Sequence, residues 1–154
     1  VNLYGCFLGT RICAPAIAER AKRHAGGGAI INVSSMSAYM ATAASTAYHC
    51  SKAAVRMLTM CNSKELGPMG IRVNSIHPGP IDTPLLREAF AGYAEHGLFP
   101  SAAEAEARIA ASTSLGRLCR PEDMAPLFVY LASDDARYVT GTAIAHDGGV
   151  GTVY

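Results

Sequence analysis

Three short apolar runs, each separated from the next by a stretch of helical character, restrict this chain to an α/β layer. The first is Ala29-Ile30-Ile31-Asn32-Val33, with Gly26-Gly27-Gly28 before it and Ser34-Ser35 after it. A run so short, β-branched and bounded by Gly and Ser reads as a buried strand of a parallel sheet. The second covers residues 71 to 77, with Ile71, Val73 and Ile76, and is closed by Pro78-Gly79-Pro80. The third runs from Thr142 to His146 and ends in Asp147-Gly148-Gly149. Strands that alternate with helices predict a parallel sheet. Three strands make a thin sheet, with one apolar edge in need of a partner.

The stretches between them predict helices. Residues 3 to 23 carry Leu3, Phe7, Ile12, Ala16 and Ile17, mostly at helical spacing, and close on Arg20, Lys22, Arg23 and His24. Cations there complement the helix dipole, and the glycines stop the helix. Pro15 is expected to bend it. Residues 46 to 66 form a second long helix, apolar on one side through Ala54, Leu58 and Cys61 and on another through Ala53, Met57 and Met60. Such a helix is expected to be buried on several sides, one of them against a partner subunit. From Leu85 to Ser114 the pattern is Ala- and Glu-rich and broken, which predicts short mobile helices over a site. Arg120-Pro121-Glu122-Asp123 is a helix start, with Met124, Leu127, Phe128 and Leu131 at core spacing and Pro126 expected to kink the helix.

Length and charge narrow the function classes. The 154 residues suit a single domain, 1–154, large enough to bury its own core. Thirteen basic against twelve acidic residues offer no electrostatic footprint for nucleic acid or an anionic membrane. No apolar run reaches the roughly 18 residues of a membrane span. The cysteines Cys6, Cys13, Cys50, Cys61 and Cys119 are odd in number and lack zinc or CxxC spacing, which predicts small hydrophobes in a reducing, cytoplasmic setting. The five histidines, His24, His49, His77, His96 and His146, show no metal-pair spacing and read as structural or surface residues; no metal is expected. His49 is expected to point away from the face that carries Tyr48, and Asp82 to cap a loop.

The chemically informative set is Ser35, Tyr48 and Lys52. Tyr48 and Lys52 stand four apart on the second helix and therefore share a face. An ammonium beside a phenol favours the phenolate, which suits a tyrosine to general acid/base work. Ser35 lies at the C-terminal end of the first strand, where open parallel sheets bind ligands.

The surroundings of these residues resemble the short-chain dehydrogenase/reductase family. Val33-Ser34-Ser35 is followed thirteen residues later by Tyr48, and then by Ser51-Lys52-Ala53-Ala54. The resemblance continues through Gly70-Ile71-Arg72-Val73-Asn74-Ser75-Ile76-His77-Pro78-Gly79, Asp82-Thr83-Pro84, Leu115-Gly116-Arg117 and Arg120-Pro121-Glu122-Asp123. It extends to Leu131-Ala132-Ser133-Asp134, Val139-Thr140-Gly141 and Asp147-Gly148-Gly149, and begins with Val1-Asn2-Leu3-Tyr4-Gly5. Ala38 and Cys119 stand where the family commonly has glycine, away from the chemistry.

The resemblance implies a reversible hydride transfer between NAD or NADP and a secondary alcohol or ketone. It implies Tyr48 as general acid/base, Lys52 as the residue that favours its phenolate and binds the nicotinamide ribose, and Ser35 as the group that polarises the substrate oxygen. Asn2 would hold a water in the proton relay behind Lys52. Pro78, Gly79 and Ile81 would lie along the nicotinamide, Thr83 would hydrogen-bond the cofactor, and residues 85–114 would form the substrate lid. Homodimers or homotetramers are implied as well. The Tyr48-His49-Cys50-Ser51-Lys52 stretch and the stretch from His77 to Pro84 look more like hydroxysteroid or cyclic-alcohol dehydrogenases than like 3-oxoacyl-carrier-protein reductases, which stay the alternative.

The family's Gly-rich phosphate loop and its Asn-Asn-Ala-Gly segment are not among these residues. Gly26-Gly27-Gly28 leads into a strand rather than out of one, so it cannot present N–H groups to a pyrophosphate from a strand-to-helix turn. The expected fold is the C-terminal part of a doubly wound Rossmann-like sheet, and the 154 residues alone are expected to be inactive. The alternative from another class is a non-catalytic oligomerisation module, should the chain truly begin at Val1.

Overall fold

The computed structural model describes residues 1–42 and 45–151. Its elements are α1 (Asn2–Ala21), β1 (Gly28–Val33), α2 (Thr46–Leu66), β2 (Ile71–Pro78), α3 (Pro84–Glu95), α4 (Ala102–Ala111), α5 (Pro121–Ala132) and β3 (Ala143–His146). The three strands form one parallel sheet in the order β1-β2-β3. Gly28 pairs with Ile71 and Val33 with Ile76 on one side of β2; Ser75 pairs with Ala143 on the other. The α/β architecture and the three strands match the sequence pattern, with ends that differ by a residue.

Every residue of β2 is buried, because it has a strand on each side and helices on both faces. Alternation along it divides the core. Ile71 and Val73 face one way and pack with Ala14 and Ala18 of α1, joined by Ile17, Ile30 and Leu66. Ile76 faces the other way and packs with Met124 and Leu131 of α5 and with Ala136, joined by Ile31, Leu127, Phe128 and Ile144. The polar members of β2 are all partnered. Arg72 reaches the end of α5, donating to Leu131 O at 2.8 Å and Ser133 O at 3.1 Å. The last carbonyls of a helix lack a partner within it, and the guanidinium satisfies that of Leu131 while adding to the Ala136 N bond of Ser133 O.

α1 and α5 each run as single helices through Pro15 and Pro126. One expectation about the helices changes. The buried face of α2 is not its apolar one. Val55, Thr59, Asn62 and Ser63 face the protein, while Met57 and Met60 are 53% and 38% exposed. Among the described residues, the face that carries Met57 and Met60 thus stays exposed.

The stretch after β2 forms two helices that pack on one another, α3 and α4. Thr83 caps α3 by accepting from Leu86 N, and Ser101 caps α4 by accepting from Glu104 N. Phe90 and Ala105 are their buried contacts. Asp82 forms a paired ion bridge with Arg87, which holds its carboxyl below the ordinary carboxylate value. At the start of α5, Asp123 accepts from Arg120 N at 2.9 Å and pairs with Arg117 at 2.6 Å.

Candidate active site

Parallel strands end on the same side of the sheet, and the loops after β1 and β2 meet there over α2. They enclose an open cleft of about 590 Å³. Its lining includes Ser35, Tyr48, Lys52, Pro78, Gly79, Ile81 and Thr83. Seven of the eight site residues expected from the sequence therefore converge on one cavity, although they come from three separate elements.

Tyr48 and Lys52 sit one helical turn apart on α2. Lys52 Nζ lies 5.7 Å from the centroid of the Tyr48 ring and donates to Val33 O at 3.1 Å. The carbonyl at the end of β1 thus holds the ammonium over the cleft and occupies one of its three hydrogens. Tyr48 is 44% exposed and lines the cleft. Ser35 Oγ accepts from Ser37 N at 3.1 Å, which leaves its own hydrogen free to donate. Ser34 donates to Lys52 O at 2.8 Å and ties the end of β1 to the same turn of α2.

Asn2 is the eighth residue and lies outside the cleft. Its Nδ2 donates to Ser51 Oγ at 3.0 Å, and Ser51 in turn donates to Tyr48 O at 2.7 Å. It lines a neighbouring groove of about 470 Å³ with Val1, Leu3, Tyr4, Phe7 and Leu58. Its contact is with the turn that carries Tyr48 and Lys52 rather than with either side chain.

The floor of the cleft depends on Gly79. A Cβ there would lie 2.7 Å from Asp147 O, since Gly79 N donates to His146 O and the two backbones run against each other. Thr83 does double duty: its hydroxyl donates to Ile81 O at 3.3 Å while it caps α3, which leaves it one lone pair. α3 closes a side of the cleft with Leu85, Leu86, Ala89 and Tyr93, whereas α4 packs behind it.

Two histidines read from sequence as bystanders belong to this site. His49 lines the cleft beside Tyr48 and does not point away from it; its Nδ1 is 2.9 Å from Ser37 O. His77 is fully buried behind Ser35, with Nδ1 at 3.0 Å from Ser35 O and Nε2 at 2.9 Å from Ser75 Oγ. Burial pushes the His77 imidazole below its ordinary value, and the charges of Arg56 and Lys52 add to this against the Ser35 bond. The only sequence signal for His77 was its period-two alignment with Val73 and Ser75.

The comparisons agree with this geometry. A family model described as Enoyl-(Acyl carrier protein) reductase matches residues 1–151. The chain is 41% identical to a 3-alpha-(or 20-beta)-hydroxysteroid dehydrogenase of Mycobacterium bovis, over 97% of its own length and 49% of that protein. It is 36% identical to a cyclopentanol dehydrogenase of a Comamonas species, over 97% of its length and 54% of that protein. The crystal structure of levodione reductase superposes with a TM-score of 0.87 at 28% identity, covering 100% of this chain and 56% of the other. The chain spans about half the length of the curated relatives it matches. The order of motifs, the sheet and these relatives agree, and the chain belongs to the short-chain dehydrogenase/reductase family.

Proposed function

We propose that this cleft is the reacting half of an NAD(P)(H)-dependent oxidoreductase that interconverts a secondary alcohol and a ketone. The observation that carries this reading is the convergence of Ser35, Tyr48 and Lys52 on one open cavity, with the ammonium held near the phenol ring.

The residues present suit the nicotinamide end of a dinucleotide. Lys52 keeps two N–H groups after its bond to Val33 O, Thr83 keeps a lone pair, and Gly79 leaves bare backbone at the cleft floor. When bound, a nicotinamide cofactor supplies or accepts the hydride. Ser35 would donate its hydroxyl hydrogen to the substrate oxygen and fix its position. Tyr48 would give its phenolic proton to that oxygen during reduction and take it back during oxidation. Lys52 would stabilise the phenolate between those events through its positive charge. Asn2, through Ser51, would hold the start of α1 against the catalytic turn and order water there.

The hydroxysteroid and cyclopentanol dehydrogenases among the relatives favour a ring-bearing alcohol, and the apolar wall of Met36, Met40, Leu85 and Leu86 supports the same preference. Residues 85–114 act as the substrate lid in this reading, and the protein works in the cytoplasm as a homodimer or homotetramer. The second reading, 3-oxoacyl-carrier-protein reduction, draws on the description of the matching family model.

The test is a substrate screen with both cofactors, run on the whole natural protein that contains these 154 residues and following formation or loss of the reduced nicotinamide. Turnover of hydroxysteroids or cyclic alcohols above that of 3-oxoacyl thioesters is expected. Thioester reduction alone would favour the second reading, and turnover with neither class would remove the proposal.

A further inference from the structure

The loop between β1 and α2 carries Ser35 and forms one wall of the cleft through Ser35, Met36, Ser37, Met40 and Thr42. We infer that His77 and His49 are positioning residues that hold this loop from two sides, so that the Ser35 hydroxyl presents its hydrogen to the substrate. The inference rests on the reaction proposed above and adds two residues to it.

Each ring's tautomer follows from its partners. A carbonyl oxygen only accepts, so the Nδ1 of His77, 3.0 Å from Ser35 O, carries the hydrogen. Its Nε2 then accepts from the Ser75 hydroxyl at 2.9 Å. In His49 the Nε2 accepts from the backbone N–H of Thr42 at 3.2 Å and lies 2.9 Å from its hydroxyl oxygen. A backbone N–H only donates, so this nitrogen is bare, and Nδ1–H donates to Ser37 O at 2.9 Å. Both rings thus carry a hydrogen at Nδ1.

Together the two rings pin the loop at successive points. His77 holds Ser35 O and packs on the Tyr39 ring, centroid to centroid 4.8 Å, while Arg56 covers the other part of that ring at 4.9 Å. His49 holds Ser37 O and Thr42. Between these grips lies the bond from Ser37 N to Ser35 Oγ, 3.1 Å, which uses a lone pair of the serine and leaves its hydrogen to point elsewhere. The carbonyls on either side of that turn, Ser35 O and Ser37 O, are the two that the histidines grip. Loss of one grip frees the turn to rotate, and the hydroxyl's direction goes with it. Misplacement of a reacting group by about 1 Å can cost on the order of a hundredfold in rate.

The test exploits amide side chains. Asparagine places an N–H near the Nδ1 position of histidine, and glutamine places one near Nε2. His77→Asn is expected to keep kcat within about threefold, whereas His77→Gln loses about tenfold or more with the cofactor KM unchanged. His49→Asn and His49→Gln are expected to split in the same direction. Equal kcat for the Asn and Gln variants, with only thermal stability reduced, would overturn the inference, because a merely structural histidine moves stability alone. Ring ¹⁵N chemical shifts of the unaltered protein give a second readout that needs no turnover: hydrogen on Nδ1 is expected in both rings, and hydrogen on Nε2 in either overturns the clamp. Absence of turnover in the unaltered protein would sink the proposed reaction, and the nitrogen shifts would still decide the clamp.

Discussion

The two flanks of the sheet are built differently. On the α5 flank the core is closed: Leu131 and Ile76 are fully buried, Met124 nearly so, and even the polar Arg72 donates from both terminal nitrogens of its guanidinium to the carbonyls that end α5. On the α1 and α2 flank the inner faces are small and tightly set, with Ala14, Ala18 and Thr59, while the outer faces leave Phe7, Ile12, Met57 and Met60 in solvent. β1 pairs with β2 on one side only among the described residues. The difference teaches where this chain is self-sufficient. It completes the floor and the α3 wall of the cleft with its own packing, and it offers apolar surface along the outer face of α2.

The contrast can be broken most directly at Leu131. Leu131→Ala is expected to lower unfolding stability by about 3 kcal/mol, since a fully buried leucine leaves a cavity that its neighbours fill only in part. Denaturant unfolding measures it; a change below about 1 kcal/mol would mean the α5 flank is looser than described.

Gly79→Ala tests the place where the flanks meet at the sheet's C-terminal end. Its Cβ would press on the Asp147 backbone, so a loss of about 1–3 kcal/mol is expected. The same substitution should weaken nicotinamide binding by fluorescence titration, because the floor must shift.

Asp123 sharpens the account of the α5 flank through pH. Its pairing with Arg117 and the Arg120 N–H holds the carboxyl below its ordinary value of 3.8. The folded state therefore binds the proton less readily than the unfolded one. The stabilisation is present above that ordinary value and is lost as pH falls through the folded one. Asp123→Asn should lower Tm at neutral pH, and the gap to the unaltered protein should close in strong acid. A gap that persists there would assign the effect to packing.

The smallest effect is expected at Met57. Met57→Ser should change stability by less than about 0.5 kcal/mol in dilute protein, as for other exposed positions. A larger loss that grows with protein concentration would show that a second surface covers this face.

Much of this was legible in the chain itself. β1 and β2 could be read because their β-branched runs are short and bounded by Gly, Ser and Pro. Tyr48 and Lys52 could be paired because helical spacing fixes their shared face. Ser35 followed from its place at a strand end. The inward face of α2 was not among the apolar faces read from the sequence, for a physical reason. Apolar periodicity marks Ala54, Leu58 and Cys61 on one side and Ala53, Met57 and Met60 on another, whereas the side against the sheet is set mostly by small residues, Thr59 and Ser63 beside Val55. Thr59 accepts from Asn32 at 2.9 Å, and Ser63 sits where a Cβ on Gly141, at φ +71°, would come within 2.7 Å. His49 and His77 escaped because their partners are backbone carbonyls of a loop, which no spacing rule locates.

The measurement that tests the central claim most directly is the turnover of Tyr48→Phe beside the unaltered protein, both in the whole natural protein that contains these 154 residues, with NADH and NADPH affinity measured on both. The account predicts a loss of about 10²–10⁴-fold in kcat with cofactor affinity nearly unchanged, as for removal of a general acid. Turnover retained by the phenylalanine variant would contradict it and take the proton transfer away from Tyr48.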